Sequence, residues 1–201
     1  MKINTTTAIQ GRILLVPYCK QHVAQYHEWM QDAHLQATTA SEPLSLEAEY
    51  SMQRSWREDG DKLTFIICLL DVKMIGDVNM FLFAGEKESP VAEVEVMIAE
   101  KEYRGRGYAK AAVSLFLSYV MANWDGIVGE FSGRVGSRGP EYFRVKVGEG
   151  NTASIRLFEG LGFKRISDKA DYFGEVELRL GDASCVILPK EDWRILHYNG
   201  D

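Results

Sequence analysis

A strand-like segment, Val91 to Ile98, runs through Ala99-Glu100-Lys101-Glu102-Tyr103-Arg104-Gly105-Arg106-Gly107 into a long amphipathic segment, Tyr108 to Trp124. In the first segment Val94, Val96 and Ile98 share one face and Glu93, Glu95 and Met97 the other, the period of an extended chain. In the second, Ala109, Ala112, Val113, Phe116, Leu117, Val120 and Trp124 form one stripe, the spacing of a core-facing helix. The glycines between them must turn the chain tightly. A turn of this kind directs backbone N–H groups outward at the positive end of a helix, and that geometry binds phosphate.

The rest of the chain supplies the frame for this unit. Arg12 to Pro17 reads as a strand and Gln21 to Met30 as a helix. Ser45 is an N-cap for a helix from Leu46 to Trp56, with Glu47 and Glu49 in its first turn. Leu63 to Leu70 and Met74 to Phe83 read as a hairpin joined by Asp71-Val72-Lys73. Asp125 to Glu141 is rich in glycine and contains Pro140, so it is expected to be a loop. Tyr142 to Val147 reads as a strand, Asn151 caps a helix from Thr152 to Leu161, and Phe163 to Ser167 pairs with Glu175 to Leu180. Val186 to Leu188 is a further candidate strand, and the last residues are expected to lack structure. The order describes one α/β domain over residues 1–201, with a core at about 10–180 and a tail at 181–201. Its expected architecture is a mixed sheet with helices on both faces.

Charge and cysteine use narrow the function. A net charge of −6 argues against nucleic-acid binding, which needs a basic surplus. Cys19, Cys68 and Cys185 are odd in number and lack metal-ligand spacing, so free thiols in a reducing compartment and no metal site are expected. The first residues lack the apolar run of a signal peptide, and Phe65 to Leu70 is too short to span a bilayer, which takes about 20 residues. No membrane association and a cytoplasmic or nuclear location are expected.

The glycine-rich turn excludes two familiar phosphate sites. Lys110 stands where the dinucleotide fingerprint needs a third small residue, and no G-x-x-x-x-G-K-[ST] occurs. Arg104-x-x-Gly107-x-Ala109 after a strand does fit [RQ]-x-x-G-x-[GA], and so resembles the central signature of the GNAT superfamily of N-acetyltransferases. Asn151-x-x-Ser154-Ile155-Arg156-Leu157-Phe158-x-x-Leu161-Gly162-Phe163 resembles its second signature. Leu15-Val16-Pro17-Tyr18, Tyr26-His27-Glu28-Trp29-Met30, Thr39 to Leu44, Gly76-Asp77-Val78-Asn79 and Glu93 to Glu100 are similar to the N-acetyltransferase 9 branch.

The resemblance implies the acyl-CoA N-acyltransferase fold, a central twisted, mostly antiparallel sheet, and acetyl-CoA as co-substrate. N–H groups from Gly105, Arg106, Gly107, Tyr108, Ala109 and Lys110 would cradle the pyrophosphate, with Arg104 or Arg106 adding charge. Met97, Ile98 and Ala99 would pair with the pantetheine arm, an N–H of Met97 or Ile98 polarising the thioester. Asn151 is a cap that would also reach the coenzyme, as would Ser154. Arg134 and Arg138 are candidates for its 3′-phosphate against the plainer reading of solvated arginines.

An acceptor amine is mostly protonated at neutral pH and needs a base. Glu95 and Glu93 are the candidates, Glu95 preferred because it lies nearer the expected acetyl position. His27, Glu28, Trp29 and Glu42 are candidate substrate contacts, and His22 and His34 lie nearby. Many superfamily members place a proton-donating tyrosine where this chain has Phe158. The branch resemblance implies a protein or peptide amine, with tubulin a candidate partner, and the chain is expected to be a monomer or weak dimer. Acetylation of a small amine, and a binding role with little chemistry, remain as alternatives at this point.

Overall fold

The computed structural model describes residues 1, 6–86, 89–132, 139–181 and 192–198. Among these residues nine strands form one sheet. They are β1 (Thr6–Gln10), β2 (Ile13–Pro17), β3 (Lys62–Leu69), β4 (Met74–Phe83), β5 (Val91–Ile98), β6 (Phe143–Gly148), β7 (Lys164–Arg165), β8 (Glu175–Leu180) and β9 (Arg194–His197), side by side in the order β7-β8-β6-β5-β4-β3-β2-β1-β9. Every pairing is antiparallel except β5 with β6, which run parallel.

The α-helices among the described residues are α1 (Val23–Trp29), α2 (Ala33–Thr38), α3 (Leu46–Glu58), α4 (Tyr108–Ala122), α5 (Trp124–Ser132) and α6 (Thr152–Glu159). Strand β3 explains how the layers form. Leu63, Phe65 and Ile67 join the core that holds Phe116, Tyr119 and Val120 of α4. The alternate residues Ile66 and Cys68 join Tyr26 and Trp29 of α1 in a second core. A strand covered on both faces reads as an almost continuous apolar run, as this one does. The Phe65 ring meets Tyr119 edge-on at 4.9 Å.

Several expectations meet a different structure. Residues 125–141 are not a simple loop: Trp124–Ser132 is helical, with Trp124, Ile127 and Val128 buried. Helical spacing of those side chains outweighs Gly126 and Gly129, each costing about 1 kcal/mol against alanine. Strand β1 and helix α2 were hidden by their polar composition; the Asp32 side chain caps α2 by accepting from the His34 N–H at 2.8 Å. The segment at Gln21 begins as a 3₁₀ turn, Lys20–His22, before α1. Near the end of the chain, Arg194–His197 is ordered as a strand because β1 offers it an edge. Val186 to Leu188, Cys185, Arg134 and Arg138 lie outside the described residues.

Candidate active site

Strands β5 and β6 hydrogen-bond over a short stretch only. Their register covers Ala92↔Phe143 and Glu93↔Arg144, and beyond it the strands part. The Ala92 N–H donates to Tyr142 O, toward β6, whereas the Ala99 N–H donates to Ile75 O, toward β4. Backbone direction alternates along a strand, so Met97 turns its N–H toward β4 and Val96 and Ile98 turn theirs into the gap. Of the two donors expected from sequence, Ile98 therefore faces the cleft.

The gap opens into a cleft of about 430 Å³. Val96, Met97 and Ile98 form one wall, Gly105, Gly107, Tyr108, Ala109 and Lys110 the end, and Asn151, Ser154 and Leu157 the opposite wall. Gly105 and Gly107 adopt φ of +70° and +84°, the left-handed region that favours glycine. A Cβ on either would meet nothing within 4 Å, so the space above the turn is open. Gly107 is the N-cap of α4, and the first helical bond runs from the Ala111 N–H to Gly107 O at 3.1 Å. The amides before Ala111 have no partner in the helix and point outward with its positive end. This cradle fits a pyrophosphate, and the parted strand edge fits an extended amide-bearing arm.

Arg104 lines the cleft, yet its guanidinium serves the strand end. Its Nε donates to Ile98 O at 2.8 Å and its Nη2 to Ala99 O at 2.9 Å. Ala99 is buried beside β4 and acts as structure, and Arg106 is exposed away from the lining residues. On the far wall, Asn151 Oδ1 accepts from the Ser154 N–H at 3.1 Å and starts α6. Phe158 turns inward, 3% exposed, and meets Phe163 edge-on at 5.2 Å. Its neighbour Leu157 faces the cleft instead.

The two candidate bases have different surroundings. Glu93 is ion-paired with Arg144, and both side chains are largely sheltered. Glu95 lies opposite Asn79 on β4. Its carboxylate is open to solvent yet ringed by protein, which raises its pKa; Lys62 and Asn79 pull it down, and Glu93 and Glu175 push it further up. Burial also raises the pKa of Asp77, to about 7, against the opposing pull of Asn79 and Lys62. Asn79 Nδ2 donates to Asp77 Oδ2 at 3.1 Å.

Of the candidate acceptor contacts, Trp29 is buried and donates from Nε1 to Glu100 Oε1 at 2.8 Å, tying α1 to the end of β5. His27 lies 3.9 Å from Glu49. Glu28 and Glu42 are exposed, and Glu28 accepts from Gln25 at 3.2 Å. Helix α2 and its C-cap Thr39 add His34, Leu35, Thr38 and Thr39 to the cleft wall. Of these, His34 and Thr39 drew notice in the sequence; for Leu35 and Thr38 the Asp32 cap was the missed signal. Among the described residues, no group of His, Cys, Asp and Glu is arranged to hold a metal ion.

Comparison with known proteins agrees with this geometry. The acetyltransferase (GNAT) domain family matches residues 12–164. The human alpha/beta-tubulin-N-acetyltransferase 9 is 42% identical over 195 residues, covering 90% of this chain and 86% of that protein. An N-acetyltransferase 9-like protein of Schizosaccharomyces pombe is also 42% identical, over 222 residues, covering 90% of this chain and 98% of the relative. The fold is shared with Vibrio cholerae spermidine N-acetyltransferase, solved with CoA and spermine, at a TM-score of 0.67 and 16% identity, covering 84% and 93% of the two chains.

Proposed function

Because the chain belongs to the GNAT acetyltransferase family, in its N-acetyltransferase 9 branch, we propose that it uses acetyl-CoA to acetylate an amine of tubulin, at an N-terminus or a lysine. The names of three relatives support acetyl transfer to a protein. The tubulin acceptor is carried from the names of the human, mouse and fly relatives. The observation that carries the cofactor reading is the parted β5–β6 edge leading to the open glycine cradle.

Bound acetyl-CoA supplies a thioester as the acyl donor. The chain's own groups divide the remaining work. The Gly105–Lys110 amides hold the anionic end, and the Ile98 N–H polarises the carbonyl. Glu95 takes a proton from the acceptor amine as nitrogen bonds to the acetyl carbon and the carbon–sulfur bond breaks, leaving the electron pair on sulfur. Phe158 cannot return a proton to that sulfur, so water in the open cleft does so. Holding both substrates together supplies much of the acceleration, with no covalent enzyme intermediate.

The test is incubation of the purified protein with acetyl-CoA and tubulin, followed by mass spectrometry of tubulin peptides. Acetylated amines are expected, and Glu95→Gln should reduce kcat by about a hundredfold or more while keeping acetyl-CoA binding. Turnover of polyamines with no modification of tubulin or peptides would overturn the acceptor assignment.

A further inference from the structure

A buried cation stands on the same sheet face as Glu95. Lys62 opens β3 and is 3% exposed. Its Nζ lies 3.5 Å from the centre of the Trp56 ring of α3 and 3.7 Å from that of Phe81 on β4. Lys62 is opposite Phe81 in the β3–β4 register, and Phe81 is opposite Glu93 in the β4–β5 register. Two residues along, Thr64, Asn79 and Glu95 form the adjacent row. Among the described residues Nζ makes no ion pair within 4 Å, so the rings fix its position. Burial lowers its pKa to about 8 against the pull of Glu95 and Asp77, which leaves it charged at neutral pH.

Holding an ammonium in such a place costs desolvation energy that two aromatic faces offset only in part. A methionine would fill the slot between the rings without that cost. The charge itself therefore calls for an explanation, and the neighbouring groups provide one. Facing Glu95 are Asp77 and Asn79 from β4, Glu93 from its own strand, Glu175 from β8 and Tyr26 from α1. Arg144 of β6 is already committed to Glu93. The carboxylates all favour the protonated form of Glu95, and Lys62 is the cation that opposes them.

We propose that Lys62 is a positioning residue for acetyl transfer: its charge, fixed between Trp56 and Phe81, keeps Glu95 ionised and able to accept the proton of the acceptor amine. This rests on the reading of Glu95 as the base. Asp77 lies on the same face and responds to Lys62 too, but its pKa, raised to about 7, leaves it protonated in acid, where it adds little charge of its own.

The experiment is the pH dependence of kcat/KM in the wild type, Lys62→Met, Lys62→Arg and Lys62→Gln, with ¹³C NMR titration of the Glu95 carboxyl in each. Lys62→Met should move the acid limb up by roughly one pH unit, so that rates below the limb fall about tenfold and the loss fades as pH rises. Lys62→Arg should restore the limb. A merely structural lysine would lower the rate equally at every pH. If Lys62→Met does not fold, Lys62→Gln decides in its place: no upward movement of limb and carboxyl titration overturns the proposal. Unmoved limb and unmoved titration in folded Lys62→Met overturn it as well. A moved titration with an unmoved limb overturns it differently, because Glu95 is then under Lys62 control but is not the base.

Discussion

Gly76 on β4 lies so close to Met97 on β5 that a Cβ at Gly76 would overlap the Met97 carbonyl group. Strand β4 therefore presses against β5 where β5 leaves β6. The same strand end is held from the other side by Arg104, through Ile98 O and Ala99 O. The Ile98 N–H is aimed into the cleft by contacts on both sides of its strand.

Gly76→Ala should consequently do two things. Relieving the overlap requires backbone movement, at a cost of about 1–3 kcal/mol in stability. The same movement turns the Ile98 N–H, so kcat should fall in the protein that remains folded. Urea unfolding and steady-state kinetics on the variant measure both. Unchanged stability would show that β4 gives way without cost and that the close approach has no part in aiming the donor.

The cradle glycine gives a sharper separation of fold from binding. Gly107 has a φ of +84° and open space where a side chain would go. Gly107→Ala should cost about 1–2 kcal/mol from backbone strain alone. For a chain of this size that is several degrees in Tm. Gly107→Glu pays the same strain and places a carboxylate where anions bind. Acetyl-CoA at saturating concentration should raise the Tm of the wild type, since a ligand of the native state stabilises it. That rise should vanish in Gly107→Glu. A full ligand shift in Gly107→Glu would place the anionic end of the coenzyme elsewhere.

The parts of this molecule that were legible in the sequence share one property: local spacing decides them. The alternation in Val91–Ile98, the glycines at 105 and 107, and the Ser45 and Asn151 caps each fix a conformation within a few residues. Elements that depend on distant partners were not legible. Strand β9 exists because β1 provides an edge, and α5 overrides two glycines because Trp124 and Ile127 find a core. The candidate site divides in the same way. Its cradle was readable from Arg104 to Lys110. Lys62 was not, because a lysine at the start of a strand looks solvated until the rings of Trp56 and Phe81 close on it. Equally, nothing in sequence marked Glu93 as paired, since its partner Arg144 lies 51 residues away.

A different buried base sets how the fold responds to acid. His22 is 7% exposed, and its Nδ1 accepts the Cys19 N–H at 3.0 Å. Burial lowers its pKa from 6.5 to about 4. Between those values the unfolded chain binds a proton at this position that the folded protein refuses. Stability from His22 is therefore fully present above pH 6.5 and lost as the pH falls through about 4, a difference of roughly 3 kcal/mol at most. Asp77 has the opposite sign: its raised pKa, about 7, favours the folded state at low pH and withdraws that contribution as the pH rises. The slope of the whole protein mixes the two, so the comparison must be made against a variant. Urea unfolding of the wild type and His22→Gln at pH 7 and pH 4.5 isolates the histidine. The wild type should lose roughly 2–3 kcal/mol more than His22→Gln over that interval. Equal losses would mean that His22 takes up its proton in the folded state, which the Cys19 N–H bound to Nδ1 is expected to prevent.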